Sequence, residues 1–178
     1  MSLPPQTIIK QDDLIVSIKD ALQFISYYHP LDFIQAVNRA YENEANPAAK
    51  DAMAQILINS RMCAEGHRPI CQDTGIVNVF MKIGQDVRFD LSMPLEDAIN
   101  EGVRQGYLEN TNVLRASILR DPAFGRKNTG DNTPAVIHYS IVPGNTVEID
   151  VAAKGGGSEN KSKLAMLNPS DSIVDWVL

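Results

Sequence analysis

The strongest constraint on the fold is a change of texture near residue 66. Up to about Cys63 the apolar residues recur at helical spacing. From Gly66 to Gly75 the chain is rich in Gly, Pro and polar residues, and beyond it come short strand-like runs. This order predicts an α/β (α+β) chain: a helical N-terminal third, residues 1–65, packed on a mixed β-sheet built from residues 66–178.

The helices are readable one by one. Leu14, Ile15, Ile18, Ala21, Leu22 and Ile25 form one apolar face after Asp12-Asp13. His29-Pro30 ends that helix, because a residue before Pro avoids the helical region. Leu31, Ile34, Val37 and Tyr41 give a second face. Asn46 is placed to cap a third helix with Pro47 at its first position, running to about Cys63. Further on, Ile76–Ile83 reads as a buried strand, and Ser92 and Pro94 open a helix through Ala98, Ile99 and Val103. Residues 125–134 form a long polar loop. Ala135–Val142 and Thr146–Ala153 are two strands with Pro143-Gly144-Asn145 as the turn between them. A last helix starts at Asn168–Ser170 and reaches Trp176-Val177-Leu178 without a terminator, so the sequence is expected to be cut from a longer chain.

Composition excludes several classes of function. With 178 residues and a net charge of -6, the chain has no general attraction for nucleic acid or anionic membranes. Arg126-Lys127 reads as solvated surface. No apolar run approaches the ~20 residues that span a bilayer. The first residues lack a basic segment followed by an apolar core, so no secretory signal is expected. Two cysteines, Cys63 and Cys71, are too few for a disulfide scaffold, which points to a reducing cytoplasm.

Three segments carry chemistry. In Arg68-Pro69-Ile70-Cys71-Gln72-Asp73-Thr74-Gly75 a thiol, an amide, a carboxylate and a hydroxyl follow one another at a helix–strand junction. Cys71 is a possible thiolate ligand for a metal or cluster, and Gln72 and Asp73 could bind substrate or move a proton. The plainer reading is a buried thiol in a turn, with Asp73 capping a backbone amide, and chemistry alone favours it because one Cys cannot hold a cluster. The second segment is Lys154-Gly155-Gly156-Gly157-Ser158-Glu159-Asn160-Lys161-Ser162, whose glycines let backbone N–H groups approach an anion. It falls short of a P-loop, because Asn160 stands where the second Gly belongs. Anion binding ranks above a plain flexible turn, and a true P-loop below both. The third is Arg115, followed by Arg120. A guanidinium is suited to gripping a carboxylate with two hydrogen bonds, although most arginines are surface charges. His138 lies in a strand, where a structural role is expected. His67 adjoins the Cys71 loop and stays open as an acid–base group or ligand.

Taken together, the run Ala64–Gly75, the run Gly125-Arg126-Lys127-Asn128-Thr129-Gly130-Asp131-Asn132-Thr133-Pro134-Ala135 and the run Ala153–Lys161 resemble the class I (iron–sulfur) fumarate hydratases and the related L-tartrate dehydratase α-subunits. The resemblance extends from about Asp12 to Leu178, and three long motifs in the right order make it specific. It implies that residues 1–178 are the N-terminal (α-type) domain of such a hydro-lyase. It also implies a [4Fe–4S] cluster held by three cysteines, with Cys71 matching the first and the other two beyond Leu178. Cys63 matches no ligand position and suits a buried thiol. Gln72, Asp73, Arg115, Gly156 and Gly157 match substrate-binding positions. The proton-abstracting residue is expected outside this chain, so the chain alone is expected to be inactive. The implied partners are a small C4 dicarboxylate, a C-terminal (β-type) domain and a second copy of the intact protein.

The implied reaction is the reversible dehydration of (S)-malate to fumarate. Removing a proton beside a carboxylate builds negative charge, so cationic and N–H donors belong around it. Within the same class the alternative is an L-tartrate dehydratase. From other classes the rivals are a phosphate-binding, P-loop-like module on Gly155–Ser162 and a non-catalytic interaction domain using the helical third.

Overall fold

A computed structural model of the protein describes residues 6–72, 74–155 and 163–178. Strand β1 (Thr7–Lys10) runs straight into helix α1 (Gln11–Tyr27), followed by α2 (Leu31–Asn43) and α3 (Pro47–Gly66). Then come β2 (Ile76–Gly84), β3 (Val87–Asp90), α4 (Leu95–Tyr107), the short strands β4 (Leu119–Arg120) and β5 (Lys127–Asn128), β6 (Val136–Val142), β7 (Val147–Lys154) and α5 (Ile173–Val177). The α/β class expected from the sequence is the class observed.

The local signals act as physics requires. Asn46 Oδ1 accepts from the Ala48 amide at 3.0 Å, so α3 starts on a side-chain cap with Pro47 in its first turn. α3 stops at His67, whose left-handed φ of 46° lets the Arg68 amide reach back to the Cys63 carbonyl at 3.1 Å.

The core lies between α1, α4 and one face of β2. Leu14, Ile18 and Leu22 of α1 are buried against Ile99, Val103 and Tyr107 of α4 and Val77, Val79 and Met81 of β2. Each such aliphatic side chain contributes about 1.5–3 kcal/mol by leaving water. Within the helical third, α1 alone carries a set of buried apolar residues. α2 buries none of its residues, and α3 buries only Ser60 and Cys63.

Three features differ from the sequence expectation, the smallest being the short β4–β5 ladder, whose Lys127–Asn128 strand interrupts the stretch expected as a loop over residues 125–134. β1 and β3, unforeseen, pair in parallel with Thr7 opposite Val87. More consequentially, β6 and β7 do not pair with each other across their turn. The sheet order is β6-β2-β7, with β2 parallel to β6 and antiparallel to β7. The turn after Val142 therefore passes over the end of β2, where the amides of Gly84, Gln85 and Asp86 donate to the carbonyls of Thr146, Val142 and Gly144, each at 2.9 Å. Gly84 makes the crossing possible, since a Cβ there would come within 2.4 Å of the Gly144 oxygen.

This topology decides where the motifs meet. Ile76 opposes Lys154 and Asn78 opposes Val136. The beginning of β2, the beginning of β6 and the end of β7 thus share one end of the sheet. The Cys71 loop, the 125–134 loop and the glycine loop all attach there.

Candidate functional site

The Cys71 loop is pinned from both sides. The Ile70 amide donates to the Ser26 carbonyl at 2.8 Å, and Asn59 Nδ2 donates to the Ile70 carbonyl at 3.1 Å. Ser26 also ties in the segment before Arg115: Asn112 Nδ2 donates to Ser26 Oγ at 3.2 Å and to Gln23 Oε1 at 2.9 Å. Gln23 Nε2 in turn donates to the carbonyls of Gly106 and Asn112 at 2.6 and 3.0 Å. The last turns of α1 therefore hold the cysteine loop and the approach to Arg115 through one buried polar network, whose members satisfy each other's donors and acceptors.

On the other side of the loop, the Tyr107 hydroxyl donates to the Thr74 carbonyl at 2.8 Å, and the Thr74 hydroxyl donates to the Arg115 carbonyl. Asn132 Nδ2 donates to the Gly75 carbonyl at 2.9 Å, while its oxygen accepts from the amides of Ser117 and Ile118. The turn that carries Asn132 is braced by Asp131. Burial alone would raise the Asp131 carboxyl, but surrounding hydrogen bonds, those from Thr133 foremost, together outweigh it and hold it below the usual carboxylate value.

A cavity of about 110 Å³ opens between these elements, with Ile70, Cys71, Thr74, Tyr107, Leu114 and Ala153 in its lining. Cys71 is exposed at its edge, with Sγ 3.2 Å from Gln72 Oε1. Gln72 and Arg115 are exposed as well. Ala153, the penultimate residue of β7, brings the base of the glycine loop to the same cavity. The structure thus gathers Cys71, Gln72, the Arg115 segment and the start of the glycine loop at one place. Asp73, Gly156, Gly157 and Lys161 lie outside the described residues, as does most of the phosphate-binding motif considered for residues 155–162. Residues 163–168 are irregular, so the helix that follows the glycines of a P-loop is not formed there.

The remaining sequence candidates settle elsewhere. Cys63 is buried, with Sγ 3.6 Å from the Pro69 carbonyl oxygen and 3.7 Å from Asn59 Oδ1. His67 caps α3 and stacks on Tyr27 with ring centroids 4.6 Å apart. His138 stacks on Phe80 across β6 and β2 at 4.8 Å. Arg120 and Lys127 face each other in the β4–β5 ladder and are exposed. Among the described residues no group of three or more His, Cys, Asp or Glu side chains converges as a metal site would require.

The sequence marks the Thr74 hydroxyl as part of a chemistry-bearing loop but not its partner, and it gives Tyr107 and Asn132 no individual role. A Thr in a loop and a Tyr at a helix end carry no signal of their partners. Asn132 had one, since Asn is enriched where backbone φ is positive, and its φ is 62°.

A thiol, an amide and an arginine segment around a small cavity at one end of a mixed sheet define an α/β protein with a candidate ligand site built from loops. The model of the family described as Fumarate hydratase (Fumerase) matches residues 15–178, and the chain belongs to that family. Similar proteins include a Methanocaldococcus jannaschii protein named, provisionally, an L(+)-tartrate dehydratase subunit alpha, 33% identical over 93% of this chain and 57% of the relative. The anaerobic class I fumarate hydratase of Escherichia coli is 34% identical over 72% of this chain and 24% of the relative. Fumarate hydratase 2 of Leishmania major is 29% identical over 90% of this chain and 29% of the relative. The chain therefore spans from about a quarter to somewhat over half of these relatives.

Proposed function

We propose that this chain is the N-terminal, α-type part of an iron–sulfur hydro-lyase that interconverts (S)-malate and fumarate. The observation that carries the reading is the meeting of the Cys71 loop, the Arg115 segment and the base of the glycine loop around one cavity. Membership of the fumarate hydratase family supports the reaction class.

The donor set fits a [4Fe–4S] cluster in part. Cys71 is an exposed thiol at the cavity edge, the chemistry that cluster iron takes, and further thiolates would come from outside this chain. When bound, a cluster with an open iron supplies Lewis-acid assistance to loss of the substrate hydroxyl. The chain's own residues do the rest of the work assigned here. Arg115 grips one carboxylate of the C4 acid. Gln72 and Asp73 contact the substrate beside Cys71. The amides around Gly156 and Gly157 donate to the anion as charge builds. The proton-abstracting residue belongs to the β-type domain.

Exposed apolar side chains support such a partner domain, since Leu164 and Met166 are each 93% exposed. We assign the intact protein a dimeric state and a cytoplasmic location, where reducing conditions protect an exposed thiol. Among the described residues no helix is long and apolar enough to cross a membrane.

A specific observation keeps L-tartrate as the second substrate reading: the 33% identical relative that aligns over 93% of this chain is named for that activity. The test is anaerobic reconstitution of the intact protein with iron and sulfide, followed by parallel assays of fumarate hydration and L-tartrate dehydration. Fumarate hydration that depends on Cys71 supports the proposal. Tartrate turnover without fumarate turnover moves the assignment to the alternative, and absence of both sinks it.

A further inference from the structure

We infer that Asn132 is a positioning residue that fixes the spacing between the Cys71 loop and the Arg115 segment, an inference that rests on the site proposed above.

Asn132 is fully buried, with 0% of its surface exposed. It lies 15 and 14 positions from Ser117 and Ile118, and much farther along the chain from Gly75. Its Nδ2 donates to the Gly75 carbonyl at 2.9 Å, 57 positions away. Its Oδ1 accepts from Ser117 N at 2.6 Å and Ile118 N at 3.2 Å. One side chain therefore bonds the exit of the cysteine loop and the residues just past Arg115, by their main chains.

The chemistry of the amide is what makes this possible. A side-chain amide, found only in Asn and Gln, sets a donor and an acceptor side by side on one planar group, and of the two Asn has the shorter reach and the tolerance of φ 62° that this turn needs. An Asp at the same position would keep an acceptor for Ser117 and Ile118. It would set a carboxylate oxygen against the Gly75 carbonyl, so the two segments would part while the turn kept its shape. The turn itself is braced independently, by Asp131 with Thr133 and by Asn128 Oδ1 accepting from the Gly130 amide at 2.8 Å.

The residues that Asn132 holds in place are the proposed cluster ligand and the proposed carboxylate grip. A substrate that must touch both is sensitive to their separation, and a misplacement of about 1 Å can cost on the order of 100-fold in rate.

The test uses the intact protein. In the unaltered form, the amides of Ser117 and Ile118 are measured by hydrogen exchange and are expected to be protected. Exchange there at the unprotected rate overturns the inference, and this arm needs no variant to fold. In Asn132→Asp, at a temperature well below its Tm, we expect the Val79 and Met81 amides of β2 to exchange as before. The Cys71 thiol of the cluster-free protein should alkylate at a changed rate, and kcat/KM for the C4 acid should fall about 100-fold. A purely structural role would lower Tm alone, and a folded Asn132→Asp protein with unaltered kcat/KM and Cys71 alkylation overturns the inference. If the unaltered enzyme turns over no C4 hydroxy acid, the proposed reaction falls, while the exchange and alkylation arms still decide the placement.

Discussion

Gly75 lies against Lys154 so closely that no side chain can stand between them: a Cβ at Gly75 would come within 2.4 Å of both the carbonyl carbon and oxygen of Lys154. The cysteine loop enters β2 at the point where the glycine loop leaves β7, and this contact brings together the ends of two motifs that are 80 residues apart in the sequence. Gly75 also adopts a left-handed φ of 74°.

Gly75→Ala is therefore expected to destabilise on two counts, the left-handed backbone and the collision with main-chain atoms that cannot rotate away. Left-handed geometry alone costs about 1–2 kcal/mol, so the total should be at least about 2 kcal/mol in urea unfolding. Gly66→Ala is the control. Its Cβ would meet only the Arg68 Cγ at 3.4 Å, near the end of α3, and stability should hold or rise by up to about 1 kcal/mol. Equal effects from the two substitutions would show that the contact at Gly75 is not what holds the loops together.

How much of this was legible in the sequence follows from the range of each signal. Local rules placed α1, α3 and α4 well, because the Asn46 cap, the Pro47 start and the stop before Pro30 act within a few residues. The strand pair around Pro143-Gly144-Asn145 was visible as two strands and a turn. The insertion of β2 between them was not, because it depends on Gly84 leaving room for a crossing loop some 60 residues later. The candidate site was legible as a set of motifs through Cys71 and Arg115, while Gly156 and Gly157 lie outside the described residues. Its clamps were not, since Thr74, Tyr107 and Asn132 act through partners that no spacing rule connects to them.

The two cysteines should separate cleanly by reactivity. Cys71 is exposed and Cys63 is 5% exposed, with its sulfur over the Pro69 carbonyl. Under native, cluster-free conditions an alkylating reagent should label Cys71 within minutes and Cys63 only on unfolding, since reaction needs access as well as thiolate. Peptide mass mapping reads the order. In the intact protein Cys71→Ser should abolish cluster binding and activity together, because a serine hydroxyl is a far poorer ligand than a thiolate. Cys63→Ser should keep both. Loss of the cluster in Cys63→Ser with retention in Cys71→Ser would reverse the assignment of the two thiols.

His29 gives the fold a pH dependence of known sign. Burial lowers its imidazole below the ordinary value of about 6.5, and Nδ1 lies 3.1 Å from the Ser60 hydroxyl on α3. The folded protein thus favours the neutral ring, and the unfolded chain binds the extra proton first. The contribution is fully present above about pH 6.5 and is lost as pH falls through the folded value. Urea midpoints at pH 7.5 and 5.5 should differ more for the unaltered protein than for His29→Gln, which keeps a polar group beside Ser60 but does not titrate. An identical pH dependence for both would remove His29 as its source.

Arg115→Lys tests the proposed carboxylate grip without disturbing the scaffold. The contact that holds this residue in place uses its main-chain carbonyl, which accepts from the Thr74 hydroxyl whatever side chain is present. Lysine keeps the positive charge and loses the planar fork, so one charged hydrogen bond to the substrate disappears while long-range attraction remains. The cluster content of the intact enzyme should therefore be unchanged. The value of kcat/KM should fall by the worth of that bond, on the order of 1.5–3 kcal/mol, or roughly 10- to 150-fold. Iron analysis beside fumarate hydration rates reads both halves. Full activity in Arg115→Lys would mean that charge alone suffices at this position, and the bidentate role would have to be given up. A parallel loss of iron would instead place Arg115 among the residues that hold the cysteine loop, beside Thr74 and Asn132.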